Sequence, residues 1–256
     1  MHPSTRSCLE ASQEVYTYVQ CDGSMLLTRE EKWKEVKLGR IFQIPICEAY
    51  AKNHPKIQHS EYVAYVGESS TFVKRLDRHI PAVQCPIFIA DGAQWIWDWV
   101  ENNYPNCLQI LDFYHALQYA WDFAKAAFSD PLHQKSWTTA VKNILLDNRI
   151  GYLLRHFELL KIRVQGEALV KLERLNKYYQ RNQDRMYYGF YRQKKLLIGS
   201  GAIESAHREV IQHRLKRSGQ RWSKAGAQQI AQLRVAKKSN RWNKVINIAQ
   251  YGKMAA

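Results

Sequence analysis

Four carboxylates stand where a fold could gather them. Asp22 lies in CDGS, Asp91 in ADGA and Asp112 in LDFYH. Each follows an apolar run that reads as a strand. Residues just past strand ends are where α/β sheets place chemistry, because the strand fixes the backbone and its end opens to solvent. A single Asp-Gly is ordinarily a turn, but two of them closing strands expected to be neighbours are harder to dismiss. Glu204, in GSGAIESAHREV, falls near the start of a helix. A first-turn glutamate is ordinarily explained by the helix dipole, yet the glycines before it also let the chain approach a sheet or a ligand closely. Arg208 follows at i+4, so one helix face could offer both a metal ligand and a phosphate contact. Carboxylates without a Cys or His cluster suit a hard cation, above all Mg²⁺. Two such ions about 4 Å apart can hold the attacking and leaving oxygens of an in-line phosphoryl displacement. Spacing alone does not choose between Asp91 and Asp112 as the second ligand.

The charge balance names a substrate class. The 256 residues carry 38 Lys and Arg against 23 Asp and Glu, a formal net charge of +15. Such a surplus points first to nucleic acid and second to an anionic membrane. From Ser205 to Lys244 there are eleven basic residues and one acid, Glu209. Arg208, Arg214, Lys216, Arg217, Arg221 and Lys224 are the candidate phosphate contacts. Trp222 and Trp242 are interleaved; either could stack on a base, although packing helices onto the core is the plainer role. The five cysteines, Cys8, Cys21, Cys47, Cys85 and Cys107, form no Cys-x-x-Cys pair. This argues against a disulfide framework or structural zinc and places the chain in a reducing cytoplasm, with the last four as small buried hydrophobes. No apolar run approaches the roughly 20 residues of a membrane span, and the start lacks a secretory signal.

The elements that must position these groups read as follows. Glu14 to Cys21 is a strand closed by Asp22-Gly23, Trp33 to Ile44 a second and Glu61 to Gly67 a third, with NHPK as a loop between the last two. Ser69 to His79 is helical, capped by Ser69 or Ser70. PIFIA is a strand buried on both faces, Trp95 to Tyr104 a helix, and CLQIL the fifth strand. From His115 to about Leu197 only helices are expected, with breaks at Ser129-Asp130-Pro131 and Asn148 to Gly151. Helices over about Ala202 to Arg217 and Lys224 to Ser239 complete the chain. An antiparallel meander followed by helical crossovers is the strand order of a ribonuclease-H-like fold; other mixed α/β topologies fit the pattern as well.

The segments CDGSM, WKEVKLGRIF, ADGAQWIWDWVENNYPNCLQILDFYHALQYAW and IGSGAIESAHREVIQHRLKRSGQRWSKAGAQQIAQLR resemble the DDE transposases of bacterial insertion sequences. The resemblance is closest to the ISKra-type group, related to the Mutator-like clade, and covers about residues 15 to 245; the last segment is the most specific. It implies a ribonuclease-H-like core, residues 14–115, then an all-helical insertion, 116–197. The core resumes at 198–245 with C-terminal helices and a basic DNA-binding face, followed by a tail, 246–256. Residues 1–13 are a short leader or a truncated N-terminal region, since such transposases usually carry a longer N-terminal part that recognises transposon ends. The implied metal ligands are Asp22, Asp91 and Glu204, holding two Mg²⁺ ions, with Mn²⁺ as a substitute. Asp112 and His115 match the clade's Cys/Asp-x-x-His motif as supporting residues; alternatively His115 is a satisfied core histidine. The implied partners are DNA, both transposon ends and target, and further copies of the chain on DNA, without a membrane, in a bacterial cytoplasm at the nucleoid. The implied activity is metal-dependent strand cleavage and strand transfer. The alternatives are a structure-selective nuclease on the same fold and an inactive DNA-binding remnant.

Replacing Arg214, Lys216, Arg217 and Arg221 together by Ala is expected to weaken binding similarly on any duplex. It should also flatten the dependence of log affinity on log salt, by about 0.9 per lost phosphate contact. Titration of fluorescent duplexes across a salt series checks both.

Overall fold

The computed structural model describes residues 15–46, 49, 56–82 and 85–252. The proposed leader, Cys8, Cys47 and most of the NHPK segment lie outside them. The chain is mixed α/β, with five strands in one mixed sheet of order β3-β2-β1-β4-β5. The strands are β1 (Val15–Thr28), β2 (Lys32–Pro45), β3 (Gln58–Val66), β4 (Ile87–Ala90) and β5 (Leu108–Leu111). β1 and β2 pair antiparallel, as do β2 and β3, so the expected meander is present. Helices α1 (Ser69–Asp77) and α2 (Gln94–Asn103) precede β4 and β5.

β1 departs from its expected length. It does not stop at Asp22-Gly23: Asp22 lies mid-strand opposite Leu38, and Gly23 opposite Lys37. The hairpin turns instead at Arg29 to Glu31, before Lys32 with its positive φ of 57°. The Asp-Gly turn signal is local, and fourteen residues of pairing with β2 override it. A Cβ on Gly23 would meet the Glu35 carboxylate at 2.1 Å, so Glu35 takes up the space that the glycine leaves. The helix expected to be capped by Ser69 or Ser70 has Glu68 at its N-cap, without a side-chain hydrogen bond.

The chain forms two compact units. One contains Ile89–Trp97 and Leu108–Ser200. It holds α3 (Phe113–Ala127), α4 (Pro131–Leu146), α5 (Ile150–Lys161), α6 (Gly166–Asn182) and α7 (Tyr188–Gln193). α5 begins inside the segment expected to be a break: the reversal is confined to Asn148, at φ 59°. Asp130 caps α4 by accepting from Leu132 N at 3.0 Å, with Pro131 in the first turn. Phe123, Leu145, Leu153, Phe157, Leu172 and Tyr179 are buried among these helices, and the Tyr179 hydroxyl donates to the Ala116 carbonyl at 3.0 Å.

The second unit contains residues 15–88, Asp98–Cys107 and 201–252. Here α8 (Gly201–His207) widens into a π-helical turn over Arg208–Gln212 and closes with α9 (His213–Leu215). α10 (Lys224–Lys238) and α11 (Trp242–Tyr251) follow, α11 running on into the segment read as a tail. Ala227, Ala231 and Val235 of α10 pack with Leu38, Ala64 and Val66 of the sheet. These small residues bring α10 close enough to cover the outer edge of β3. Val66 N donates to Gln228 Oε1 at 2.8 Å, Gln228 Nε2 to the Ala64 carbonyl at 3.3 Å, and Tyr62 N to Ser239 Oγ at 3.0 Å. An edge strand otherwise presents unpaired backbone groups to any passing strand. Cys21 is buried as expected, whereas Cys85 and Cys107 are only half-buried and bring their sulfurs to 3.2 Å as free thiols.

Gln228→Ala should leave the Val66 N–H without its acceptor and lower unfolding stability by about 1–3 kcal/mol, read by urea denaturation.

Candidate functional site

In the second unit, α8 is fastened to the sheet by three polar contacts. Arg40 Nη1 donates to the Ala202 carbonyl at 3.0 Å, its guanidinium also lying 5.1 Å from the Phe42 ring centre and 5.2 Å from that of Tyr62. The fully buried Gln20 accepts from Ile203 N at 3.0 Å. His207 Nε2 meets the Asp22 backbone carbonyl at 3.3 Å. Ile203 and His207 flank Glu204 in sequence, and Gln20 and Asp22 are neighbours on β1. The strand of Asp22 and the helix of Glu204 are therefore held together at the positions that carry the two carboxylates.

A carbonyl only accepts, so Nε2 of His207 carries its hydrogen towards Asp22 and Nδ1 faces the Ser24 hydroxyl at 3.5 Å. Burial pushes the His207 pKa down, the nearby Asp22 only partly opposing it, so the ring is neutral at pH 7. The Asp22 carboxylate is half-open, with Oδ1 accepting from Gly23 N at 2.7 Å and Oδ2 3.8 Å from His207. Glu35 lies over Gly23 and pairs with the buried Lys37 at 2.5 Å. Glu204 is exposed. Asp22 and Glu204 each offer carboxylate oxygens, the donor type that a hard divalent cation takes. Sequence reasoning missed Glu35 and His207. His207 left one signal, its place three residues after Glu204 on the same helix.

The first unit carries Asp91, Asp112 and His115. Asp91 follows β4 as expected; its Oδ1 accepts from Ala93 N at 3.0 Å and its backbone carbonyl from Trp97 Nε1 at 2.7 Å. Asp112 N donates to the Ala90 carbonyl at 2.8 Å, setting the two aspartates at adjacent strand ends. Asp112 is fully buried. One of its oxygens accepts from His115 N at 2.7 Å, capping α3, and the other from Ser200 N at 2.5 Å. Burial raises its pKa, but these hydrogen bonds prevail and hold the carboxyl below its ordinary value. His115 is 46% exposed with Nδ1 3.5 Å from Asp112, so it is no core histidine.

The basic segment divides by partner. Arg208, Arg214, Lys216, Arg217 and Arg221 are exposed, and among the described residues no ion pair involves them. The chain widens into the π-helical turn at Arg208; π-turns recur at functional sites. Lys224 instead pairs with Glu31 at 2.9 Å, and Lys238 with Glu209. Trp222 donates its indole N–H to the Leu215 carbonyl at 3.1 Å and packs on the core. Its carbonyl accepts from Arg29 N at 2.9 Å. Trp222 is thus a packing residue rather than an open stacking surface. Among the described residues no helix is long and apolar enough to cross a membrane. Compared with known proteins, the chain matches no family model, and no curated protein matches it significantly.

Asp112→Asn keeps one acceptor oxygen and loses the other. It should lower stability at pH 7 by about 1–3 kcal/mol. Because the folded carboxyl has the lower pKa, its contribution is present above the ordinary carboxylate value of about 4 and is lost as pH falls through the folded value. The gap between wild type and variant should therefore narrow in acid, as followed by chemical denaturation at neutral and acidic pH.

Proposed function

We propose that the protein is the catalytic domain of a DDE transposase, a metal-dependent enzyme that cleaves and joins DNA strands on a ribonuclease-H-like fold. The observation that carries the reading is the fastening of the Glu204 helix to the Asp22 strand through Gln20, Arg40 and His207. Fixing the strand that carries Asp22 to the helix that carries Glu204, far apart in the chain, suits a ligand pair better than a turn residue and a helix-dipole residue. The strand order β3-β2-β1-β4-β5, with its antiparallel meander, is compatible with the fold.

On this reading Asp22, Asp91 and Glu204 hold Mg²⁺, as two ions, with Mn²⁺ able to take their place. When bound, the metal supplies Lewis-acid stabilisation of charge at the phosphoryl group and a more acidic water. The chain's own residues do the remainder. His207, neutral and enclosed, fixes the backbone at Asp22 without adding a positive charge that would compete for the carboxylates. Asp112 fixes the backbone that follows Asp91's neighbouring strand. Arg208, Arg214, Lys216, Arg217 and Arg221 contact DNA phosphates, which positions the duplex without reading its sequence. DNA is the partner, with copies of the chain assembling on it in a bacterial cytoplasm.

Asp22→Asn and Glu204→Gln are expected to abolish Mg²⁺-dependent nicking of plasmid DNA while leaving metal-free DNA binding intact. Nicking retained by either variant overturns the assignment. Joining of a cleaved 3′ end to target DNA separates a transposase from a structure-selective nuclease.

A further inference from the structure

We infer that Tyr178, on α6, is a substrate-positioning residue whose hydroxyl donates a hydrogen bond to a phosphate oxygen held at Asp91. The inference rests on the DNA-processing reading above and adds a group from the helical segment to it. The first observation is an approach that only glycine permits. A Cβ on Gly92, directly after Asp91, would meet Tyr178 Cε2 at 2.2 Å and its hydroxyl oxygen at 3.0 Å. Gly92 in ADGA therefore makes room for a tyrosine 86 positions later in the chain.

The second observation is that the ring is clamped. Tyr178 stacks on Tyr119, with centroids 3.9 Å apart and planes 11° from parallel, and the Arg174 guanidinium lies 5.0 Å from the Tyr119 ring centre. Three layers set against the Gly92 backbone leave the phenol oxygen little freedom. A group merely filling space would need no such fixing, since an apolar ring would serve.

The third observation is that the hydroxyl itself is buried and hydrogen-bonds to nothing among the described residues. Leaving a buried donor unmade is costly. Each oxygen of Asp112 already receives a backbone N–H and Asp91 Oδ1 receives Ala93 N, while the other Asp91 oxygen is, on the reading above, the one a metal takes. Burial, and then the neighbouring Asp91, raise the phenol's pKa, so it stays a donor at any working pH. What is missing is an acceptor arriving from outside, at the residue that the proposed reaction uses. A phosphate oxygen is that acceptor, and a neutral donor can bind it without drawing the carboxylates away from a metal. The ring as a whole is half-buried while its hydroxyl oxygen is enclosed, so a phosphate oxygen reaches it by displacing what covers it beside Asp91. The other unpartnered phenol of this unit, Tyr188, is fully enclosed and meets no ligand.

The test compares wild type, Tyr178→Phe and Tyr188→Phe in steady-state Mg²⁺-dependent nicking, with thermal melting as a check on folding. Tyr178→Phe keeps the ring and the stack. It should raise KM for DNA by about tenfold or more, the value of one hydrogen bond to a charged acceptor, with kcat and the melting temperature unchanged. Tyr188→Phe should leave both kinetic constants unchanged. A phosphorothioate replacing the contacted oxygen at the cleaved position should raise KM for wild type and add nothing in Tyr178→Phe, because the two changes remove one contact. Wild-type KM in Tyr178→Phe, or phosphorothioate and mutation effects that add, overturns the role of Tyr178 alone. A wild-type protein that cleaves no DNA overturns the DNA-processing reading, and this role with it.

Discussion

The carboxylate of Asp112 holds the two ends of the helical excursion together. One oxygen receives His115 N, where α3 begins, and the other Ser200 N, where the excursion ends. Beside it Phe113 N donates to the Ile198 carbonyl at 2.9 Å. Closing so long a segment costs conformational entropy that grows slowly with length, and a buried ion that accepts from both ends fixes the closure. With both ends set beside the ends of β4 and β5, α6 can carry Tyr178 to Gly92.

The carboxylates are supported in different ways. Asp112 is enclosed, each oxygen accepting from a backbone N–H group, which makes it a fixed point of the structure. Asp22 is half-open, and the neutral His207 restrains its backbone rather than its carboxylate. Two carboxylates that look equivalent as letters thus differ in burial and in what holds them.

Much of the fold was legible because buried apolar runs and strong helix periods are local signals. PIFIA and the second meander strand were read close to their bounds. Asp22 was singled out on a turn reading that does not hold: β2 pairing carries the strand through the Asp-Gly pair, and a Cβ on Gly23 would meet Glu35. Asp91-Gly92 did end a strand, yet its glycine answers to Tyr178. A glycine required by a side chain far along the chain looks the same in sequence as one required by a turn. His207 and Tyr178 were missed for a related reason. Their roles come from burial and from what they touch, and neither falls at a spacing that marks it.

The covering of β3 by Gln228 and Ser239 bears on how the chain is made. Val66 and Gln228 are 162 residues apart. At about 5–20 residues per second, the ribosome needs on the order of ten seconds or more to move from one to the other. During that interval the nascent meander carries an open strand edge and an uncovered apolar face. Nascent chains stalled or truncated before α10 would keep that edge available to one another. The cover over this edge is thus synthesised late.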